Sequence, residues 1–178
     1  DDDHLQVDEL ALSAPAQQVY YDSTYPFYLY QLASPLMPGD SVKLDYNLYY
    51  PTKGFRNNGP NVTIVQNGTF INSRSLPSIG YVEANELSRR EDRQEYDLPK
   101  QPQAAPMDDS AKRYENVIAD DADFVDFKAT IGTKKGQKAV APGYLKKQWS
   151  EDGRSYYHYK MDEEILHFYS FLSGDYTV

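Results

Sequence analysis

The ten residues SVKLDYNLYY, 41–50, constrain the fold more than any other part of the chain. Val42, Leu44, Tyr46, Leu48 and Tyr50 fall on one side of an extended backbone, and Ser41, Lys43, Asp45 and Asn47 on the other. A period of two with one apolar face is what a half-buried strand requires and a helix cannot use. Pro38-Gly39-Asp40 reads as a turn before it, and the Gly-, Asn- and Pro-rich run PTKGFRNNGPN as a loop after it. The same period recurs in FVDFKATIGT, where Val125, Phe127, Ala129 and Ile131 oppose Asp126, Lys128 and Thr130. YLKKQW and RSYYHYKM flank Asp152-Gly153, and an Asp-Gly pair between two such runs predicts a tight hairpin.

Upstream, the aromatic run YPFYLYQL, beginning at Pro26, is expected to be the partner of 41–50. NVTIVQNGT reads as a strand over Val62 to Val65, ending at Gln66, with Asn67-Gly68 as its turn. The chain carries 17 tyrosines. That excess suits pleated, half-buried surfaces, where the ring packs and the hydroxyl stays wet. Together these patterns predict a mainly β protein, an antiparallel β-sandwich.

Between the two β blocks the composition changes. VEANELSRREDRQEY is charged and compatible with a helix, DLPKQPQAAPM is linker-like, and MDDSAKRYENVI reads as a second short helix capped by Asp108 or Asp109. Residues 82–123 are therefore expected to form a polar helical and linker insertion in one domain spanning 1–178. The closing run DEEILHFYSFL fits helical spacing through Ile165, Phe168, Tyr169 and Leu172, and strand alternation nearly as well.

Composition narrows the chemistry. A net charge of −9 and a pI near 4.7, with no Lys/Arg stripe in the sequence, weigh against a nucleic-acid partner. The absence of cysteine removes disulfides and thiolate metal sites. No apolar run reaches the roughly 20 residues a spanning helix needs. The sequence opens with DDDHLQVDEL and closes with GDYTV, as an excised piece of a longer protein is expected to. A catalytic zinc helix needs His-Glu-x-x-His, whereas His4, His158 and His167 show no such spacing. A strand histidine and a core-edge histidine are the expected roles of His158 and His167. There is no Gly-x-Ser-x-Gly elbow, and GTKKGQK lacks the spacing of a phosphate loop and reads as a β-turn. The pairs Asp108-Asp109, Asp120-Asp121 and Glu163-Glu164 lack Ca²⁺-loop spacing and read as solvated charge. No complete active site, and no cofactor site, is expected in this chain.

One stretch invites three readings. NVTIVQNGTFINSRSLPSIGY, residues 61–81, holds two Asn-x-Thr triplets, at Asn61 and Asn67, around one apolar run. It could be a glycosylated loop, a plain hairpin or the rim of a binding site.

From about Tyr25 onward the order of segments resembles one family. The segments are PLMPGDSVKLDYNLYY, GFRNNGPNVTIVQNGTFINSRSLPSIGY and KAVAPGYLKKQWSEDGRSYYHYKMDEEILHFYSFLSGDY. They are similar to successive pieces of bacterial membrane proteins in which an ABC-transporter permease is fused to a zinc aminopeptidase-like region. That region in turn resembles aminopeptidase N and leukotriene-A hydrolase. The tail, with Pro142-Gly143-Tyr144, Trp149, Gly153-Arg154 and His158 to Asp162, carries the most specific part of the likeness.

The resemblance implies a saddle-like, non-catalytic β-domain that precedes a thermolysin-like catalytic domain in the same polypeptide. The zinc, the His-Glu-x-x-His helix and the Gly-x-Met-Glu-Asn substrate loop would lie beyond Val178. In the family, a Gln or Glu of the β-domain grips the free α-amino group of the peptide. Gln66 and Asn67 match that place, with Gly68 and Thr69 beside them; a plain Asx-type turn at the strand end is the other reading. A bacterial origin would also leave the Asn-x-Thr triplets without a glycosylation route. Where the secreted aminopeptidases carry a cysteine and an acidic pair, this chain reads Leu76-Pro77-Ser78-Ile79-Gly80-Tyr81. The expected partners are the downstream catalytic domain and the transmembrane permease region, with a peptide as substrate, and the expected location is the extracytoplasmic side of a bacterial membrane. This chain alone is expected to have no activity; whether the parent is an active peptidase stays open. The alternatives are a stand-alone extracytoplasmic interaction or sugar-binding sandwich, and a structural transporter domain without peptidase chemistry.

Overall fold

A computed structural model of the chain describes residues 5–24, 27–52, 63–80, 86–100, 107–110 and 124–177. The protein is mainly β, built of several antiparallel sheets and one short α-helix. It divides into two compact units, Asp1–Phe55 and Arg56–Val178.

The first unit holds two antiparallel pairs. β1 (Gln6–Leu12) pairs with β4 (Leu44–Tyr49), and β2 (Ala16–Asp22) with β3 (Phe27–Leu32). The run at 27–32 is thus a strand, but its partner is β2 and not the strand within 41–50. A short connection between β2 and β3 lets them close locally, while β4 is left to pair with β1 across a longer separation. In 41–50 the alternation holds: Val42, Leu44, Leu48 and Tyr50 are half-buried and the residues between them exposed, with Tyr46 the exception at 37% exposure. The turn before it is closed by Asp40 N–H donating to Met37 O at 2.9 Å, with Gly39 at φ 94°. That positive φ after a proline is the type II pattern, which glycine adopts without strain.

The second unit carries a three-stranded sheet, β10-β11-β8, and a four-stranded sheet, β5-β6-β13-β9. Their strands are β5 (Ile64–Val65), β6 (Gly68–Asn72), β8 (Lys128–Lys134), β9 (Lys138–Val140), β10 (Tyr144–Glu151), β11 (Arg154–Lys160) and β13 (Ser170–Gly174). A small pair, β7 (Phe124–Val125) with β12 (Ile165–Leu166), completes it. The ambiguous closing run is therefore strand, taken up by β12 and β13.

Strand pairing here follows side-chain chemistry closely. Val125, Phe127, Ala129 and Ile131 are buried or half-buried, and Asp126, Lys128 and Thr130 exposed. The Asp152-Gly153 turn joins β10 to β11 with φ of 49° and 75°, the two positive values a type I′ hairpin needs. Between the sheets, Phe127 stands 4.8 Å from the Tyr169 ring and 6.0 Å from Phe171, and Tyr169 meets Phe171 edge-on at 5.6 Å. Two tyrosines of β11 cross to β9 and the residue before it. Tyr157 Oη donates to Gln137 O at 3.0 Å and Tyr159 Oη to Ala139 O at 2.7 Å. Ala139 is among the most buried residues described, so the Tyr159 hydroxyl satisfies a carbonyl that burial has removed from water, while the Gln137 carbonyl is half-buried. The arrangement in this unit is sandwich-like.

Of the expected insertion at 82–123, residues 86–100 contain one helix, α1 (Arg90–Glu95), shorter than the charged run around it. The predicted helix at 107–118 lies outside the described residues apart from 107–110. Among the described residues no helix is long and apolar enough to cross a membrane.

Candidate functional site

β5 and β6 form a hairpin whose two-residue connection is Gln66-Asn67. The expected Asn67-Gly68 turn is shifted by one residue. Gly68 opens β6, opposite Val65 on one side and Gly174 of β13 on the other. The reason is steric. A Cβ on Gly68 would run into the carbonyl oxygen of Ser173, so glycine is required here by the close approach of β13 and not by a left-handed turn. Phe70 N–H donates to Thr63 O at 2.7 Å across the hairpin, and Asp175 N–H donates to Asn67 O at 3.1 Å. These bonds fix the hairpin tip against the chain leaving β13.

The result is an open concavity of about 250 Å³ at the end of the four-stranded sheet. One wall is Thr63 and Val65 with Asn67, Gly68, Thr69 and Phe70; the other is the run from Leu172 to Tyr176. Three of the four residues singled out in the sequence, Asn67, Gly68 and Thr69, line it. Gln66 sits in the turn, exposed, and is not among the lining residues. Asp175 and Tyr176 join them, and nothing in the local sequence around 61–81 pointed to these two. Their arrival depends on β13 pairing with β6, a contact between distant parts of the chain. Behind the hairpin, Asn72 Oδ1 accepts from Arg74 N–H at 3.0 Å and opens a single 3₁₀ turn over Ser73–Ser75. Arg74 is exposed, while Leu76 and Pro77 are half-buried.

The lining is mixed: Val65, Phe70, Leu172 and Tyr176 bring apolar surface, and Asn67, Thr69, Ser173 and Asp175 are residues with acceptor groups. The volume is below the roughly 300–1,000 Å³ of pockets that enclose a drug-sized ligand. It suits an end group and not a whole molecule.

The histidines lie elsewhere. His158 is in β11, with its Nδ1 2.9 Å from Thr130 Oγ1 of β8, and His167 follows β12 with its ring 5.6 Å from that of Tyr169. Among the described residues no three His, Asp or Glu side chains converge in a way that could hold a metal ion. Asp120 and Asp121 fall outside the described residues. Compared with protein-family models, with curated proteins and with solved structures, the chain matches none of them.

Proposed function

We propose that the chain is a non-catalytic β-domain of a membrane-anchored bacterial protein with a zinc aminopeptidase-like region, and that it helps to hold the amino end of a peptide. It would brace a downstream catalytic domain of the same polypeptide, which supplies the zinc and the chemistry. The observation that carries this reading is the concavity at the β5–β6 tip. Asn67, Gly68 and Thr69 line the same small space as Asp175, which brings a residue with a carboxamide and one with a carboxylate to one opening. A peptide ammonium has three N–H donors and no acceptor, and such a border meets it with acceptors. Charge-assisted bonds of this kind fix which end of the substrate is presented.

The reading is tested in the full polypeptide with substrates that carry a free α-amino group. Asn67→Ala and Asp175→Asn are each expected to lower kcat/KM by about 10- to 100-fold, the value of one hydrogen bond to a charged group. Amino-terminally acetylated substrates should lose nothing further in the variants. Gln66→Ala, whose residue does not line the concavity, should change kcat/KM by less. Unchanged kinetics for both Asn67→Ala and Asp175→Asn would reject the amino-end role. A full polypeptide without peptidase activity would instead favour the structural transporter domain.

A further inference from the structure

The outward face of the β10-β11-β8 sheet is unlike the rest of this acidic chain. Cross-strand register puts Lys134 beside Arg154, His158 between Lys147 and Thr130, and Lys160 between Tyr144 and Lys128. Residues paired directly across a sheet share a face. Lys128, Lys134, Lys147, Arg154 and Lys160 therefore stand on one surface, all exposed; its carboxylates are at the margins, with Glu151 opposite Arg154, Asp126 two residues before Lys128, and Asp162 paired at 3.0 Å with Lys146, which lies over the Tyr144 ring. The chain as a whole has 27 acidic side chains to 18 basic ones, so this face reverses the overall sign.

Aromatic residues occupy the middle of the same face. Trp149 is stacked on Tyr156 at 5.2 Å and 12°, and Tyr156 lies over Gly132, where a Cβ would meet its ring at 2.7 Å. Lys147 Nζ sits 4.9 Å from the centre of the Trp149 ring, and Tyr144 is 63% exposed.

We propose that this face docks on an anionic phospholipid surface. The cations do not converge on a point, as a single phosphate or carboxylate would require. Lys128 and Lys134 are at opposite ends of β8, about 20 Å apart at the usual rise per residue. Spread over an open sheet, they match a surface of diffuse negative charge. Each basic side chain near such a surface contributes independently, about fivefold in affinity. Tyr144, 63% exposed, supplies an amphipathic ring of the kind that settles at the headgroup level. A single-stranded nucleic acid is the poorer occupant, because it needs free ring faces for its bases and a groove for its backbone. Here the Trp149 ring is already engaged by Tyr156 and Lys147. The acidic residues elsewhere do not cancel the attraction, since charges more than about 8 Å away are largely screened at physiological salt.

The test is co-sedimentation of the 178-residue chain with vesicles of phosphatidylglycerol and phosphatidylcholine in equal parts, at physiological and at high ionic strength. The chain is expected to bind these vesicles at physiological salt, to leave them at high salt and to ignore pure phosphatidylcholine. Lys128→Gln, Lys134→Gln and Lys160→Gln together should weaken binding by about 100-fold. The equal charge change Arg74→Gln, Arg90→Gln and Lys100→Gln, in segments outside this sheet, should weaken it by no more than about threefold. These are exposed positions, and thermal melts of both triple variants verify that the fold is kept. No binding to anionic vesicles at physiological salt overturns the proposal, as does an equal loss in the two triple variants. Tighter binding to a single-stranded oligonucleotide than to the vesicles overturns it in favour of the rival occupant.

Discussion

At the scale of single residues, the candidate site is held by the lack of a side chain at Gly68. β6 approaches β13 so closely there that the Ser173 carbonyl occupies the space a methyl group would need. The obstacle is backbone, which cannot rotate aside as a side chain can. Gly68→Ala must therefore push the two strands apart or displace the hairpin tip. We expect a loss of about 1–3 kcal/mol, the usual range for overpacking, and a melting temperature lower by roughly 2–12 °C. A thermal melt checks this, and an unchanged midpoint would mean that the close approach is not maintained in solution. Because Asn67 and Asp175 are tied by the bond from Asp175 N–H to Asn67 O, the same substitution should also disturb the concavity. The Asn-Gly pair was legible as part of a hairpin, but its position in the turn was not. A local two-residue rule places Gly68 at the tip, and only the third strand, β13, moves it into the sheet.

At the scale of elements, the contrast is between segments that close locally and segments that depend on distant partners. The β10–β11 hairpin was readable from its Asp-Gly connection and the flanking runs, because the conformation is set by two residues that tolerate positive φ. The one-sided strands at 44–49 and 128–134 were readable because burial on one face leaves a period of two. Which strand lies beside which was not readable: β4 takes β1, and β13 inserts between β6 and β9. Asp175 and Tyr176 stayed hidden for the same reason, as they reach the site only through that insertion. The charged helix was foreseen and its length was not. α1 is six residues long, too short to persist alone, and its Ncap Arg89 makes no capping bond. No strand packs extensively against it among the described residues. Its anchor is Arg93, 7% exposed, which donates through Nε to Pro99 O and through Nη1 to Leu87 O and Glu86 Oε2, each at 2.8 Å. One guanidinium thus closes both ends of the segment 86–99. Arg93→Met keeps the stem and removes these bonds. The expected effect is local, a loss of about 2 kcal/mol in the protection of the α1 amides, with the melting of the sheets changed by less than about 0.5 kcal/mol. Hydrogen exchange reads both quantities at once. Protection of Gln94 and Glu95 that survives the substitution would show that something other than Arg93 holds the helix.

At the scale of the whole molecule, stability should be lost on the alkaline side, and the tyrosines say why. Burial raises the Tyr159 hydroxyl above its ordinary value of 10.0, with a smaller contribution from Tyr157. In the other unit burial also raises Tyr28, helped by its hydrogen bond with Tyr21. A raised value means that the folded state keeps the proton where the unfolded chain has begun to release it. Between the two values the folded state holds more protons, so stability falls as pH rises. The contribution is fully present below about pH 10 and is lost as pH climbs through the folded value. For Tyr159 the physical cause is visible: its hydroxyl donates to Ala139 O, and a phenolate there could donate nothing and would face a buried carbonyl. Tyr159→Phe separates the two effects of this group. At neutral pH the variant should be less stable by about 1–2 kcal/mol, because the Ala139 carbonyl loses its donor. Above pH 10 its stability should decline less steeply than that of the unsubstituted chain, because one proton-linked step has been removed. The two curves therefore converge as pH rises. Denaturant melts at neutral pH and at several values above pH 10 measure both, and parallel curves would sink this account of the sheet-to-sheet bond.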